Sequence, residues 1–254
     1  MAEMEEIAVL IDNGVLTLGF NRPEKRNAIT GAMYAELADQ LNAAADNDEV
    51  GAVLIYGEGD DFTAGNDIND FLNNPPSGDN SNAPVWRFLI AIREFPKPIV
   101  ASITGRAVGI GTTLLMHCDY VIAGRGTKLS MPFVNLGLVP EAASSYLLPI
   151  IMGHQRASEL LLLGDVFSAE KAREYGLINE VVSDEESPVR GGEVAKQLAD
   201  QPRNAIRQAK RLIKKAHSQA VAQTMVEEGK LFQEALVSDE ARDAFMNFIS
   251  KKGK

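Results

Sequence analysis

Apolar and polar residues alternate over residues 7–11 and again over 15–20, on either side of Asp12-Asn13-Gly14. This pattern predicts that the chain opens with a β-hairpin. Pro23 breaks the second strand. Thr30 then stands where a helix cap is wanted, and Met33, Leu37 and Leu41 recur every fourth residue. A helix with one buried face is expected, running to about Asp46. The apolar run at 53–56 stops at Gly57-Glu58-Gly59-Asp60-Asp61 and reads as a short buried strand. Residues 73–84 are polar and rich in Pro, Gly and Asn, which predicts a loop. Residues 86–95 read as a helix, after which Pro96 and Pro98 force an extended entry into a strand at 99–103.

A further helix is expected from Gly111, and a further strand at 119–123. Strand and helix alternating in this order predict an α/β fold with parallel pairing. From about Ala142 the pattern reads as nearly all helical, with apolar positions at 160–163, 195–198 and 205–213. The region from Pro202 onward reads as a helical appendage that packs on the core or on neighbouring chains. No internal repeat is visible at a fixed period.

Composition narrows the function classes. The chain has 254 residues, 45% hydrophobic and 24% charged, an ordinary globular balance with length enough for a sizeable core. A net charge of −10 argues against nucleic-acid binding by the protein as a whole. One cysteine, Cys118, cannot make an internal disulfide, which favours a reducing compartment. No apolar run reaches the roughly 18 residues of a membrane span. MAEMEE at the start lacks the regions of a signal peptide, and SKKGK at the end is not a peroxisomal address. A cytoplasmic protein without nucleic-acid or membrane partners is the expectation.

Two glycine-centred loops carry the candidate chemistry, FTAGND at 62–67 and GRAVGIG at 105–111. Gly65 lets the backbone turn sharply, so that the next amide, that of Asn66, can point into a cleft. GRAVGIG lacks the Lys-Ser/Thr of a P-loop and the third glycine of a dinucleotide fingerprint. It does offer a helix N-terminus, where the Ile110 amide is a free donor that favours an anion. Two amides aimed at one point can hold an enolate oxygen.

Between Gly105 and Ser145 the only acids are Asp119 and Glu141. Asp119 heads a strand and reads as structural. Glu141 follows Pro140 at an expected helix start, which by itself explains a carboxylate there; if the region moves protons, Glu141 is the candidate base. Ser144 and Ser145 read as packing near that helix start, and no G-x-S-x-G elbow exists. His117, His154 and His217 are scattered without metal-ligand spacing, so no metal site is expected. Arg203, Arg207, Lys210, Arg211, Lys214 and Lys215 put six basic residues on one helix with no acid between them. They read as a solvated face or as a site for a phosphorylated ligand.

NRPEKRNAIT, FTAGNDI, ITGRAVGIG and CDYVIAG resemble the crotonase (enoyl-CoA hydratase/isomerase) superfamily over nearly the whole chain. The resemblance implies a crotonase-like α/β spiral of ββα repeats over 1–201 and a helical trimerisation region over 202–254, in a homotrimer or dimer of trimers. It implies an acyl-CoA thioester substrate, its carbonyl oxygen between the amides matching Asn66 and Ile110. Coenzyme A enters as part of the substrate, and no other cofactor is implied. Arg26, Ala28, Ala64, Asp67 and Ile68 would follow the CoA moiety, beside Gly65 and Gly109 of the two loops. The basic helix from Arg203 would lie near a subunit contact or the nucleotide phosphates.

The departures refine the reading. The two glutamates of the family's hydratases match Thr113 and Phe133, neither of which exchanges protons usefully near neutral pH. This speaks against simple hydration. NDI with the following Phe71, PFVNLGLVPEAASSYLLP and LLLLGDVFSA are most similar to the peroxisomal-type Δ3,Δ2-enoyl-CoA isomerases, whose catalytic glutamate falls on Glu141. The ring-epoxide phenylacetyl-CoA isomerases, with aspartate at that position, are close relatives. Phe71, Trp86, Phe133 and Leu136 either line an acyl tunnel or are plain core. Other enolate chemistry on acyl-CoA, or a non-catalytic acyl-CoA-binding homologue, are the alternatives.

Overall fold

The computed structural model describes residues 5–68, 70 and 83–252. The opening hairpin is formed by β1 (Ile7–Asp12) and β2 (Val15–Phe20), paired antiparallel with Asp12 opposite Val15. Asn13 and Gly14 both take positive φ, 50° and 82°, as a tight two-residue hairpin turn requires. Helix α1 (Gly31–Asp46) begins at Thr30, whose side chain accepts a hydrogen bond from the Met33 amide at 3.2 Å. Such a cap contributes about 1 kcal/mol. β3 (Ala52–Gly57) returns parallel to β2. Helix α2 (Pro84–Glu94) packs along α1, and β4 (Ile99–Ile103) is buried throughout. β5 (Arg106–Val108) and the single turn α3 (Ile110–Thr113) follow. β6 (Tyr120–Gly124) and β7 (Lys128–Ser130) come next.

The second half contains α4 (Ser144–Met152), α5 (His154–Ser158), β8 (Phe167–Ser168), α6 (Ala169–Glu174), β9 (Glu180–Val182) and α7 (Glu186–Ala199). The chain ends in α8 (Arg203–Lys215), α9 (Ser218–Leu236) and α10 (Asp239–Lys252). A six-stranded sheet has the order β1-β2-β3-β4-β6-β9, parallel beyond the first pair, and β5-β7-β8 make a smaller sheet.

Period-two alternation sorts the large sheet's side chains between two layers. Leu16, Leu18, Val53 and Ile55 join the main core with Leu37 and Leu41 of α1 and Phe88 and Ile92 of α2. Val15, Ala52, Leu54 and Val100 face the other way, against Val194, Ala195 and Ala199 of α7. Among the described residues no helix is long and apolar enough to cross a membrane.

The fold is the predicted α/β one, with two differences in detail. Pro84 is the first residue of a helix rather than the end of a loop, the position where proline's fixed φ and missing N–H cost least. The rest of the predicted loop, residues 73–82, lies outside the described residues, as does Phe71. The stretch after Ala142 is not all helical: β8 and β9 lie within it, and β9 completes the large sheet beside β6.

The basic helix α8 is only partly a solvated face. Arg203 Nη1 donates to the Val50 carbonyl at 2.9 Å, Lys210 Nζ to Lys97 O at 2.7 Å and to Asp119 Oδ2 at 2.6 Å, and Lys214 Nζ to Arg93 O at 2.8 Å. Half of the run therefore fastens the helix to the core. Asp119, which also accepts the Ile99 amide at 2.8 Å, is structural as expected.

Candidate active site

The first loop is tied down by two isolated parallel bridges, Ile29 with Asn66 and Thr63 with Ala107. In the first, the Ile29 amide donates to Gly65 O and the Asp67 amide donates to Ile29 O, both at 2.9 Å. A parallel bridge uses the groups flanking its central residue, so the Asn66 N–H points away from Ile29. It has no acceptor among the described residues. Gly65 makes this possible. Its φ is +86°, and a β-carbon there would stand 2.8 Å from the Val108 carbonyl oxygen. The Asn66 side chain is held separately, its Oδ1 accepting from the buried Tyr34 hydroxyl.

The second loop reaches the same place from β5. Gly109 anchors its amide on Ser130 O at 2.9 Å and adopts φ 57°, ψ −117°, a region that is essentially glycine's own. Ile110 then begins α3, so its N–H has no carbonyl one turn back to bond. Its side chain is buried in the main core, and the residue borders the cavity described below. The arrangement can receive a negatively charged oxygen.

Glu141 does not sit at a helix start. Helix α4 begins three residues later, at Ser144, and the Ser144 amide closes the turn on Glu141 O at 3.0 Å. The dipole explanation for this carboxylate therefore falls away. The carboxyl accepts a hydrogen bond from Thr113 Oγ1 on α3. Burial pushes its pKa up to about 8; the Thr113 hydrogen bond works against that shift, and the Glu228 carboxylate adds to it. A carboxyl so poised can both take and return a proton near neutral pH.

A cavity of about 920 Å3 runs along the loops. Of the residues expected from sequence, it is lined by Arg26, Ala64, Gly65, Asn66, Ile68, Gly109, Ile110, Phe133 and Leu136. Ala28 and Asp67 are not brought to it. The Ala28 carbonyl is taken by Arg22 Nη1 at 2.6 Å, and the same nitrogen holds Asp67 Oδ2 at 3.2 Å. Asn66 and Phe232 also border a smaller inner chamber of about 70 Å3, together with Trp86, Leu89, Gly229 and Glu141. Glu141 is the one carboxylate among the described residues lining that chamber. Phe133 meets Phe232 edge-on, ring centroids 6.5 Å apart, and both present carbon to the larger cavity.

Sequence reasoning missed the partners of these groups: Thr113 as donor to Glu141, Tyr34 as donor to Asn66, and α9 and α10, which supply Phe232 and Phe245 to the walls. A signal for α9 existed. Val221, Met225, Glu228 and Leu236 are its buried positions, and an acid on an apolar stripe is out of place unless it has partners. Among the described residues no three His, Cys, Asp or Glu side chains gather as a metal site.

Fold and cleft together are those of the crotonase superfamily. The model of the Enoyl-CoA hydratase/isomerase family matches residues 10–254, and the chain belongs to that family. It is 37% identical over 255 residues to enoyl-CoA delta isomerase 2 of Homo sapiens, covering 98% of this chain and 64% of that protein's length. It is 35% identical over 255 residues to the 1,2-epoxyphenylacetyl-CoA isomerase of Escherichia coli (strain K12), covering 98% and 97%. The crystal structure of an enoyl-CoA hydratase/isomerase from Pseudoalteromonas atlantica T6c superposes with a TM-score of 0.93 at 40% identity, covering 97% of this chain and 98% of that one. Membership of this family supports crotonase-type chemistry on acyl-CoA thioesters.

Proposed function

We propose that the enzyme is a Δ3,Δ2-enoyl-CoA isomerase, moving the double bond of a 3-enoyl-CoA to the 2-position. Thioester and neighbouring double bond both acidify the C2 hydrogens. Glu141 removes one, and the negative charge of the resulting dienolate gathers on the thioester oxygen. The Asn66 and Ile110 amides hold that oxygen, each such donor lowering the barrier by roughly 3–4 kcal/mol. Glu141 returns the proton at C4, giving the conjugated product. The reaction so written draws on no metal or redox cofactor.

The observation that carries this reading is the single carboxyl among the described residues lining the inner chamber, its pKa raised to about 8. Phe133 and Thr113 stand where a hydratase would need a second proton-exchanging group, and a carbon wall gives an attacking water no support. Arg26, which lines the cavity, offers positive charge to the phosphates of CoA, beside Arg106, whose guanidinium is paired with Asp61 at 2.9 Å. The helical region from α8 onward exposes Leu212, Ile213, Val226 and Val237. The proposed homotrimer or dimer of trimers would cover such surfaces, and sedimentation velocity would report it.

The test is to supply trans-3-hexenoyl-CoA and follow the conjugated thioester absorbance. Its appearance, with little loss of absorbance from crotonyl-CoA in a parallel assay, is expected. Rapid hydration of crotonyl-CoA without isomerisation would replace this reading by a hydratase.

A further inference from the structure

The turn behind the base is held by a carboxylate from far along the chain. Glu228 Oε2 accepts the Ala143 amide at 2.6 Å, while Oε1 accepts the Ser145 amide at 2.9 Å and the Ser145 hydroxyl at 2.6 Å. Ala142 and Ala143, directly after Glu141, both have φ 58°. Alanine seldom takes this left-handed conformation, and two in succession need outside support. Ala143 also sits at the N-terminus of α4 with no side chain able to cap it. Glu228 supplies the missing cap from another helix, satisfying free N–H groups and meeting the positive end of the dipole. On the opposite side, His117 Nε2 donates to the Ala142 carbonyl at 2.8 Å.

We propose that Glu228 is a positioning residue for catalysis: by gripping the 143 and 145 amides it locks the two left-handed alanines and so fixes where the Glu141 carboxyl projects. Residues next to Glu228 on α9 already form the cleft, since Gly229 and Phe232 line the inner chamber. The helix that shapes the acyl site thus also aims its base. Glu228 also places a second negative charge behind Glu141 and helps keep that carboxyl's pKa high. The other groups acting on the pair are Thr113 from α3, Tyr34 from α1, Ser145, the Ala143 amide and the neighbouring Glu227, while the buried His117 meets the turn between them at the Ala142 carbonyl. The inference rests on Glu141 being the base, as in the proposed function.

The experiment compares wild type, Glu228→Gln and Glu228→Asp on trans-3-hexenoyl-CoA across pH, with C2 hydrogen exchange followed in D2O. The Gln variant keeps the shape but turns an NH2 group toward at least one donor. Its kcat should fall about tenfold or more, with KM within about threefold. The acid limb of its kcat/KM profile should move to lower pH, because a negative charge near the base is gone. The Asp variant should also lose kcat, with the limb in place. Wild-type kcat and an unmoved limb in Glu228→Gln overturn the proposal.

Binding of butanoyl-CoA by calorimetry shows that the cleft is intact. Should Glu228→Gln not bind it, Ser145→Ala takes its place: it removes one of the three bonds, a fall of about twofold to fivefold in kcat is expected, and an unchanged kcat overturns the proposal. A wild type that exchanges C2 hydrogen without isomerising refutes the isomerase reading alone, and the same variants then test Glu228 through exchange.

Discussion

Thr113 Oγ1 donates a hydrogen bond to the Glu141 carboxyl, across 28 positions of sequence. Thr113 is therefore a direct partner of that acid, supplied by the turn that Ile110 begins. The hydroxyl favours the ionised form of Glu141 and holds one of its oxygens. In Thr113→Val a methyl replaces the hydroxyl, so Glu141 should ionise only at higher pH. Hydrogen bonds to charged groups are worth about 1.5–3 kcal/mol, so kcat/KM near neutral pH should drop on the order of tenfold or more. A pH–rate profile checks both, the acid limb moving upward in pH.

Gly65→Ala tests the first loop. Both the positive φ and the 2.8 Å approach to Val108 O forbid a β-carbon without movement of the loop that carries the Asn66 amide. Loss of one oxyanion donor costs roughly 100- to 1,000-fold in kcat. Steady-state kinetics should show a loss of that order, with CoA binding reduced far less.

Glu141 also bears on stability. Unfolded, its carboxyl releases the proton near 4.5; folded, it holds the proton to about 8. Between those values the folded chain binds more protons, so this group's contribution to stability is full below 4.5 and declines as pH rises through 8. Glu141→Gln should melt above wild type at pH 9 by about 2 °C or more, the gap closing toward pH 5. Thermal melts of the ligand-free proteins over that range measure it.

His117 gives the opposite slope. Burial lowers its pKa from 6.5 to about 4, so the neutral ring is the folded form. The stability it secures is present above 6.5 and is lost as pH falls toward 4. His117→Gln, which keeps a donor for the Ala142 carbonyl, should show a flatter melting-temperature profile between pH 6.5 and 4.

What was legible in the chain follows from length of pattern. β1 to β4 and β6 carry five or six residues of alternation or continuous apolar character, enough to be read. Arg106-Ala107-Val108, Phe167-Ser168 and Glu180-Val181-Val182 are too short to show a period, and only their partners make them strands. The two amide loops were visible because each needs a glycine, at Gly65 and Gly109, and glycine leaves a mark. Thr113 and Glu228 left none of that kind. Their role depends on meeting Glu141 and its turn across 28 and as many as 85 residues, a property of the packed fold. Asp67 shows the converse: it sits in the motif but does not line the cavity, its carboxylate meeting Arg22 at 3.2 Å.

The central claim is that one carboxyl carries hydrogen between two carbons of the same substrate. It is tested most directly by turning over trans-3-hexenoyl-CoA deuterated at C2 with wild type and Glu141→Gln, locating the label by mass spectrometry. Wild type should deliver part of the deuterium to C4, and the Gln variant, still binding butanoyl-CoA, should be slower by roughly 1,000-fold or more. Equal rates for the two proteins would contradict the account.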